Sequence, residues 1–260
     1  MRLNKKVAIV TGGGVGIGRA ISLAFAAEGA AVVVAARTQP RLEAVADEIR
    51  SKGGKATAIQ TDISDENRVK RMVVQTLNEY GQIDILVNNS GIAGLTANVV
   101  DIKLDDWNEV LAIDLTGAML CSREVLKSML TRQSGNIINI SSAAGTRGFP
   151  MRSPYCAAKW GIIGLTQTLA LEVGRYNIRV NCIAPGAVEG ERIKNVMKAR
   201  AKATGLAYEE IAHEMSASVA LERMVTVAEI ANTAVFLASD ESSGITGQTI
   251  GVNAGRQLRT

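Results

Sequence analysis

Short, unbroken apolar runs recur along this chain, each followed by a stretch with helical periodicity. Residues 7–10, 30–36, 56–60, 83–87, 136–140, 179–183 and 249–252 have the length and β-branched content of strands. Runs without polar alternation suit strands covered on both faces, as in a parallel sheet. Helices are predicted at 19–28, 39–52, 65–80 with Ser64 as cap, 104–132, 153–175 and 226–238. Strands alternating with helices of this length make βαβ units, hence an α/β fold: a doubly wound parallel sheet with helices on both faces. No linker, repeat or low-complexity run interrupts the pattern, so residues 1–260 are read as a single domain. The pattern loosens over about 187–223. This insertion follows the carboxyl end of a strand, where open α/β sheets bind ligands.

Composition removes several function classes. Aromatic residues make up 3%, too few for stacking single-stranded nucleic acid, and a net charge of +4 from 29 basic and 25 acidic residues is no basic footprint. Nucleic acid is therefore not expected as a partner. No apolar run reaches the length of a membrane span. The apolar stretch after Lys5-Lys6 ends at Thr11-Gly12, which suits a first strand better than a signal peptide, so a cytoplasmic location is expected. Cys121, Cys156 and Cys182 are widely spaced and odd in number, and are read as small buried hydrophobes. The single histidine, His213, leaves no second imidazole for a metalloprotease helix, and no G-x-S-x-G elbow accompanies it. Neither a metal site nor a hydrolase is expected.

Two local patterns carry chemistry. Thr11-Gly12-Gly13-Gly14-Val15-Gly16-Ile17-Gly18 joins the first strand to the first helix, where backbone N–H groups and a helix N-terminus can face a pyrophosphate. At the end of the second strand, an NAD site places an acid on the ribose hydroxyls. This chain has Ala36-Arg37 there, and a guanidinium pairs instead with a 2′-phosphate, which favours NADP(H) and leaves NAD(H) open. Further along, Ser153 and Pro154 make a good helix start, and Tyr155 and Lys159 then stand at i and i+4 on one face. A positive charge one turn away favours ionisation of a phenol, which suits it to proton exchange. Ser142, upstream, can hydrogen-bond a carbonyl or alcohol oxygen beside it.

In order and spacing, Thr11-Gly12-x-x-x-Gly16-Ile17-Gly18, Asp62, Asn88-Asn89-Ser90-Gly91, Ser142, Tyr155-x-x-x-Lys159, Asn181 and Pro185-Gly186 resemble the short-chain dehydrogenase/reductase family from end to end. The resemblance implies a Rossmann-type sheet and hydride transfer between nicotinamide C4 and a carbonyl or secondary alcohol. By position it puts Asp62 and Ile63 at the adenine and Asn89, Ser90 and Gly91 along the adenosine ribose. Ser142 then orients the substrate oxygen, Tyr155 exchanges the proton, and Lys159 holds the nicotinamide ribose. Pro185, Gly186 and Val188 back the nicotinamide. Three positions depart from the family's pattern: Ser90 replaces an alanine, Asp114 the fourth catalytic residue's asparagine, and Gly190 a threonine that touches the cofactor. The resemblance makes Asp114 part of a proton relay with a shifted pH optimum, beside Lys159.

Residues 145–151 and 189–215 should frame the substrate, with Arg147, Arg152 and Arg192 near its mouth. The basic run Arg192, Lys194, Lys198, Arg200 and Lys202 reads as a solvated face or a dock for an acidic acyl carrier protein. Small residues Ala157, Ala158, Gly161 and Gly164 allow close approach of a neighbour to the Tyr155 helix, and the family's habits imply a homotetramer. The leading expectation is an NADPH-dependent 3-oxoacyl thioester reductase. Two alternatives stand beside it: an NAD-dependent dehydrogenase of a sugar, polyol or other secondary alcohol, and a non-catalytic cofactor-binding scaffold or sensor.

Overall fold

Apolar side chains on successive residues of one strand are stable only if both faces of the strand are covered, and the first strand does this from the outset. In the computed structural model, which describes residues 1–256, β1 (Val7–Thr11) is fully buried. Its Ala8 and Val10 pack on one side with Ile21 and Phe25, while Ile9 packs on the other with Met72 and Leu86. Each fully buried side chain of this size contributes about 1.5–3 kcal/mol of transfer free energy.

The chain continues α1 (Gly16–Ala27), β2 (Ala31–Ala36), α2 (Gln39–Ser51), β3 (Lys55–Gln60), α3 (Glu66–Tyr80) and β4 (Ile85–Asn88). Then come α4 (Leu104–Leu111), α5 (Gly117–Arg132), β5 (Gly135–Ile140), α6 (Ser153–Val173) and β6 (Ile178–Pro185). The last elements are α7 (Glu191–Thr204), α8 (Tyr208–Ala217), α9 (Val227–Ala238) and β7 (Thr249–Val252). The seven strands form one parallel sheet in the order β3-β2-β1-β4-β5-β6-β7. The order reverses between β1 and β4, and that reversal opens a crevice at the strands' carboxyl ends. Residues from α1, α2 and α9 share one apolar cluster, and residues from α3, α5 and α6 share another across the sheet. The α/β, doubly wound architecture expected from the sequence is the one found.

Differences from the sequence reading are local. The α3 cap is Asp65, whose carboxylate accepts from the N–H groups of Asn67 and Arg68, because Ser64 is turned to Asp62 instead. Ser153 lies in the first turn of α6, after the boundary residue Arg152, and its buried hydroxyl has no partner. Cys121 and Cys182 are buried as expected, and burial pushes their thiols up to about 12 and about 11. Cys156 is only half-buried.

The helix expected across 104–132 is interrupted by a π-helical turn, Ala112–Thr116, which widens the helix and turns Asp114 into the interior. Such turns are frequent at functional sites. A buried polar chain sets the neighbouring helices on the sheet. Asn88 Nδ2 donates to Ser122 Oγ (2.9 Å) and Asn139 Oδ1 (2.8 Å), and Asn139 Nδ2 donates to Thr166 Oγ1 (2.9 Å). Ser141 Oγ donates to Lys159 O at 2.7 Å, pinning α6 to the end of β5. Of the small residues on α6, Ala158 is fully buried and Gly161 packs on Leu115 within the chain. Gly164 faces open space, with Trp160 and Leu171 exposed on the same helix.

Candidate active site

A cleft of about 1070 Å³ runs along the strands' carboxyl ends. It is at or above the upper end of ordinary ligand pockets. At one end lies the glycine turn. Gly12 and Gly16 have φ of +64° and +54°, which disfavour a Cβ, and a Cβ on Gly12 would sit 2.8 Å from Asn89 Nδ2. Asn89 Nδ2 donates to Thr11 O (2.9 Å) and Gly12 O (3.2 Å), and Thr11 Oγ1 accepts from the N–H groups of Asn89 and Ser90. The side chain of Asn89 thus latches β4 to the turn. No side chain caps α1, so its first N–H groups are left for a ligand.

Beside the turn, Arg37, Thr38 and Arg41 line the cleft. Arg41 was not foreseen. It sits in the first turn of α2, close enough that a Cβ on Gly14 would lie 3.3 Å from its Cβ. No short motif marks it, because its approach depends on how α2 packs on the turn. Asp62 and Ile63 line the same end. Burial pushes the Asp62 carboxyl up, but hydrogen bonds from Ser64 and the charges of Arg37 and Arg68 outweigh it and hold the group below its usual range.

Gly12, Gly16, Ile17, Gly18, Asn89, Ser90, Gly91, Ser142, Tyr155, Lys159, Pro185, Gly186 and Val188 all border this one cleft. Ser142 Oγ accepts from Ala144 N–H at 3.1 Å, so its own proton is free to be donated. Among the described residues the Tyr155 hydroxyl has no hydrogen-bond partner. Lys159 Nζ is 5.6 Å from the Tyr155 ring centre and donates to Ile140 O at 3.2 Å. Asp114 Oδ2 stands 3.2 Å from Lys159 Nζ, outside hydrogen-bond geometry, while Oδ1 accepts from Ile92 N–H at 2.7 Å. Both side chains are at most 5% exposed, so this is a buried ion pair. Asp114 is thus beside Lys159 but does not itself border the cleft.

On the far wall, Pro185 and Gly186 are held against β7 by Gly186 N–H donating to Val252 O at 2.9 Å, and a Cβ on Gly186 would lie 2.8 Å from Asn253 Cα. Val188 bridges to Val225. Gly190 has a physical reason to be glycine: φ is +137° at the start of α7. Ile193 and Val196 of α7 and Met215 of α8 line the same cleft. Asn181, part of the sequence pattern, braces β6 to the residues before β7, donating to Ile245 O and accepting from Gln248 N–H.

A turn that excludes Cβ atoms, uncapped helix N–H groups, two arginines at one corner and an unpartnered phenol together fit a phosphate-bearing dinucleotide. The family described as short chain dehydrogenase matches residues 6–201. This chain belongs to that family. A 3-oxoacyl-[acyl-carrier-protein] reductase of Thermotoga maritima is 36% identical over 255 residues, covering 98% of this chain and 99% of that protein. The crystal structure of an NAD+-bound xylitol dehydrogenase is similar with TM-score 0.96 and 35% identity, over 98% of this chain and 100% of that one. An actinorhodin polyketide ketoreductase with NADPH gives TM-score 0.92 and 32% identity, over 96% and 97%.

The dehydrogenase is therefore an NAD(P)(H)-dependent oxidoreductase that interconverts a ketone and a secondary alcohol. Among its described residues no helix is long and apolar enough to cross a membrane, and no group of three His, Cys, Asp or Glu side chains could hold a metal ion.

Proposed function

We propose that this dehydrogenase is an NADP(H)-preferring reductase of ketones, with 3-oxoacyl compounds, thioesters first among them, as the leading substrate class. The observation that carries the reading is the free Tyr155 hydroxyl beside Lys159, in the same cleft as the glycine turn and Ser142. The names of the relatives supply the substrate class. The turn and the α1 N–H groups hold the cofactor's phosphates, and Arg37 and Arg41 pair with a 2′-phosphate. Asp62 and Ile63 border the adenine, Asn89 to Gly91 the ribose next to it, and Pro185 to Val188 the nicotinamide.

When bound, the nicotinamide supplies or accepts the hydride. Tyr155 gives its proton to the carbonyl oxygen as that oxygen gains charge, and takes it back in the reverse direction. Ser142 donates a hydrogen bond to the same oxygen. Lys159, fixed by its bond to Ile140 O and its pairing with Asp114, holds positive charge near the phenol and offers its remaining N–H groups to the ribose. Asp114 pairs with that ammonium and takes part in the proton relay as an acceptor. Residues 187–223 form a lid over the substrate. We further propose a cytoplasmic homotetramer in which Gly164, Trp160 and Leu171 of α6 meet another copy.

A panel of ketones assayed with NADPH and with NADH tests this reading, together with fluorescence titration of both nucleotides. NADPH should bind about tenfold or more tightly than NADH, as a charge-assisted pair contributes roughly 1.5–3 kcal/mol. Ala36→Asp should reverse the order. Equal affinities that Arg37→Ala leaves unchanged would contradict the NADP(H) assignment.

A further inference from the structure

We infer that the substrate carries an ionised carboxylate close to the carbonyl being reduced, and that Arg152, with Arg192 beside it, holds that carboxylate. This rests on the ketone-reducing reading and, within its 3-oxoacyl compounds, moves the preferred substrate from the thioesters suggested by the relatives' names to the free oxo acids.

Four arginines converge on the substrate half of the cleft. The Arg152 guanidinium lies 4.8 Å from the centre of the Tyr155 ring and that of Arg192 5.9 Å from it. Arg147 and Arg256 stand 5.3 and 4.9 Å from the Phe149 ring on the same wall. Among the described residues none of the four has an Asp or Glu within ion-pair distance. The nearby carboxylates are engaged elsewhere: Glu214 pairs with Arg200 and acts on Arg256 only at longer range, Asp114 pairs with Lys159 and acts on Arg152 only at longer range, Glu191 pairs with Lys194, and Glu189 is exposed at the mouth.

Arg152 is also under-satisfied. Nη2 donates to Ala93 O at 2.8 Å, but Nε is buried without a partner. Burial, with the nearby charge of Arg192, pushes its guanidinium below the usual range. Arg192 Nη1 reaches only a backbone oxygen, Gly91 O, at 3.1 Å. Arg152 and Arg256 are half-buried while Arg147 and Arg192 reach solvent at the mouth, and like charges gathered along one cleft wall are stabilised by an anion arriving between them. A planar carboxylate matches the guanidinium fork.

The position of Arg152 identifies where that anion sits. Its guanidinium stacks over the ring of the phenol that exchanges the proton, so a carboxylate it holds lies on the same side of the cleft as the reacting oxygen. A thioester carbonyl is uncharged, and the phosphates of its carrier lie at the far end of a long arm. The cofactor's own phosphates are provided for at the opposite end, by the α1 N-terminus, Arg37 and Arg41. During turnover the ketone carbon gains the hydride and its oxygen the Tyr155 proton. The carboxylate changes neither charge nor oxidation state and serves only to orient.

A matched series decides the matter: one 3-oxo carboxylate, its ethyl ester and its N-acetylcysteamine thioester, each reduced with NADPH. The expected result is a kcat/KM for the acid about 10- to 100-fold above both neutral compounds, the range of a hydrogen bond to a charged group. Arg152→Met should collapse that preference to about unity, chiefly by raising KM for the acid, and Arg152→Lys should recover part of it. Should Arg152→Met fail to fold, inhibition of the wild-type enzyme replaces it. The 3-hydroxy carboxylate should compete with the substrate and its methyl ester should not. Equal or better turnover of a neutral compound, or equal inhibition by acid and ester, overturns the inference while leaving ketone reduction standing. No turnover of any member, with NADPH binding intact, overturns the ketone-reducing reading and the inference with it.

Discussion

Replacing Gly18 by alanine sets two measurable effects against each other. Gly18 lies inside α1, where alanine is favoured by about 1 kcal/mol over glycine, so helix propensity alone makes the variant more stable. The packing reverses the sign. A Cβ at Gly18 would lie 2.8 Å from the Gly12 carbonyl carbon and closer still to Gly12 O and Asn89 Nδ2. Gly12 is backbone and is itself fixed by its N–H bond to Ala35 O at 2.7 Å, so relief requires α1 or the turn to move. Moving the turn breaks the Asn89 bonds to Thr11 O and Gly12 O.

Two such bonds at about 1 kcal/mol each, plus roughly 1–3 kcal/mol for an amide left without partners, give a loss of about 3–5 kcal/mol. Net of the propensity gain, Gly18→Ala should lose about 2–4 kcal/mol in urea unfolding. It should also weaken NADPH binding at least about tenfold by fluorescence titration, since the turn that faces the phosphates is displaced. Gly14→Ala is the internal control. Its Cβ would meet Arg41 Cβ and Leu42 Cδ2 at 3.3 and 3.4 Å and the Arg41 carbonyl carbon at 3.5 Å, an overlap small enough to be relieved by a shift of a few tenths of an ångström at the start of α2. Wild-type stability and affinity in Gly18→Ala, or equal damage in Gly14→Ala, would refute the steric account of the turn.

Asp114→Asn keeps an acceptor for Ile92 N–H but removes the counter-charge of Lys159, so Tyr155 faces an uncompensated positive charge and the pH–rate profile should move toward lower pH. A superimposable profile would mean that the carboxylate has no influence on proton exchange. Glu229 closes a capping box with Thr226 at the start of α9. The Arg223 guanidinium and the Thr226 N–H hold its carboxyl down at about 2 rather than its ordinary 4.5. A folded value below the unfolded one stabilises above the unfolded value and is lost as pH falls toward the folded value. Glu229→Gln should therefore lower Tm at neutral pH and flatten the fall in Tm between about pH 4.5 and 2. Parallel Tm curves for the two proteins would count against that linkage.

What the sequence disclosed and what it concealed divide along a physical line. The unbroken apolar strands, the glycine turn after Val10 and the Tyr155–Lys159 spacing were legible because their causes are local: both-face burial, positive φ and helical periodicity. Arg41 was not, since its approach to Gly14 depends on the docking of α2. Arg256 was also missed, because it reaches Phe149 only after β7 has joined the sheet and turned back. The π-helical turn that brings Asp114 to Lys159 has no period of its own within an otherwise helical pattern. Ser64 and Ser153 were good caps by type, and each lost the role to a neighbour, one to Asp65 and the other to an earlier helix boundary at Arg152. Ala158 and Gly161 had the size for a subunit contact and instead pack within the chain.

The central claim is that the Tyr155 hydroxyl carries the proton for a hydride transfer in this cleft. A single-turnover measurement of NADPH oxidation by a saturating ketone, comparing wild type with Tyr155→Phe, tests it most directly. The account predicts that nucleotide affinity measured by titration stays within about twofold while the transfer rate falls at least about a hundredfold, the lower range for losing a general acid. A Tyr155→Phe enzyme that binds NADPH and oxidises it at the wild-type rate would contradict it.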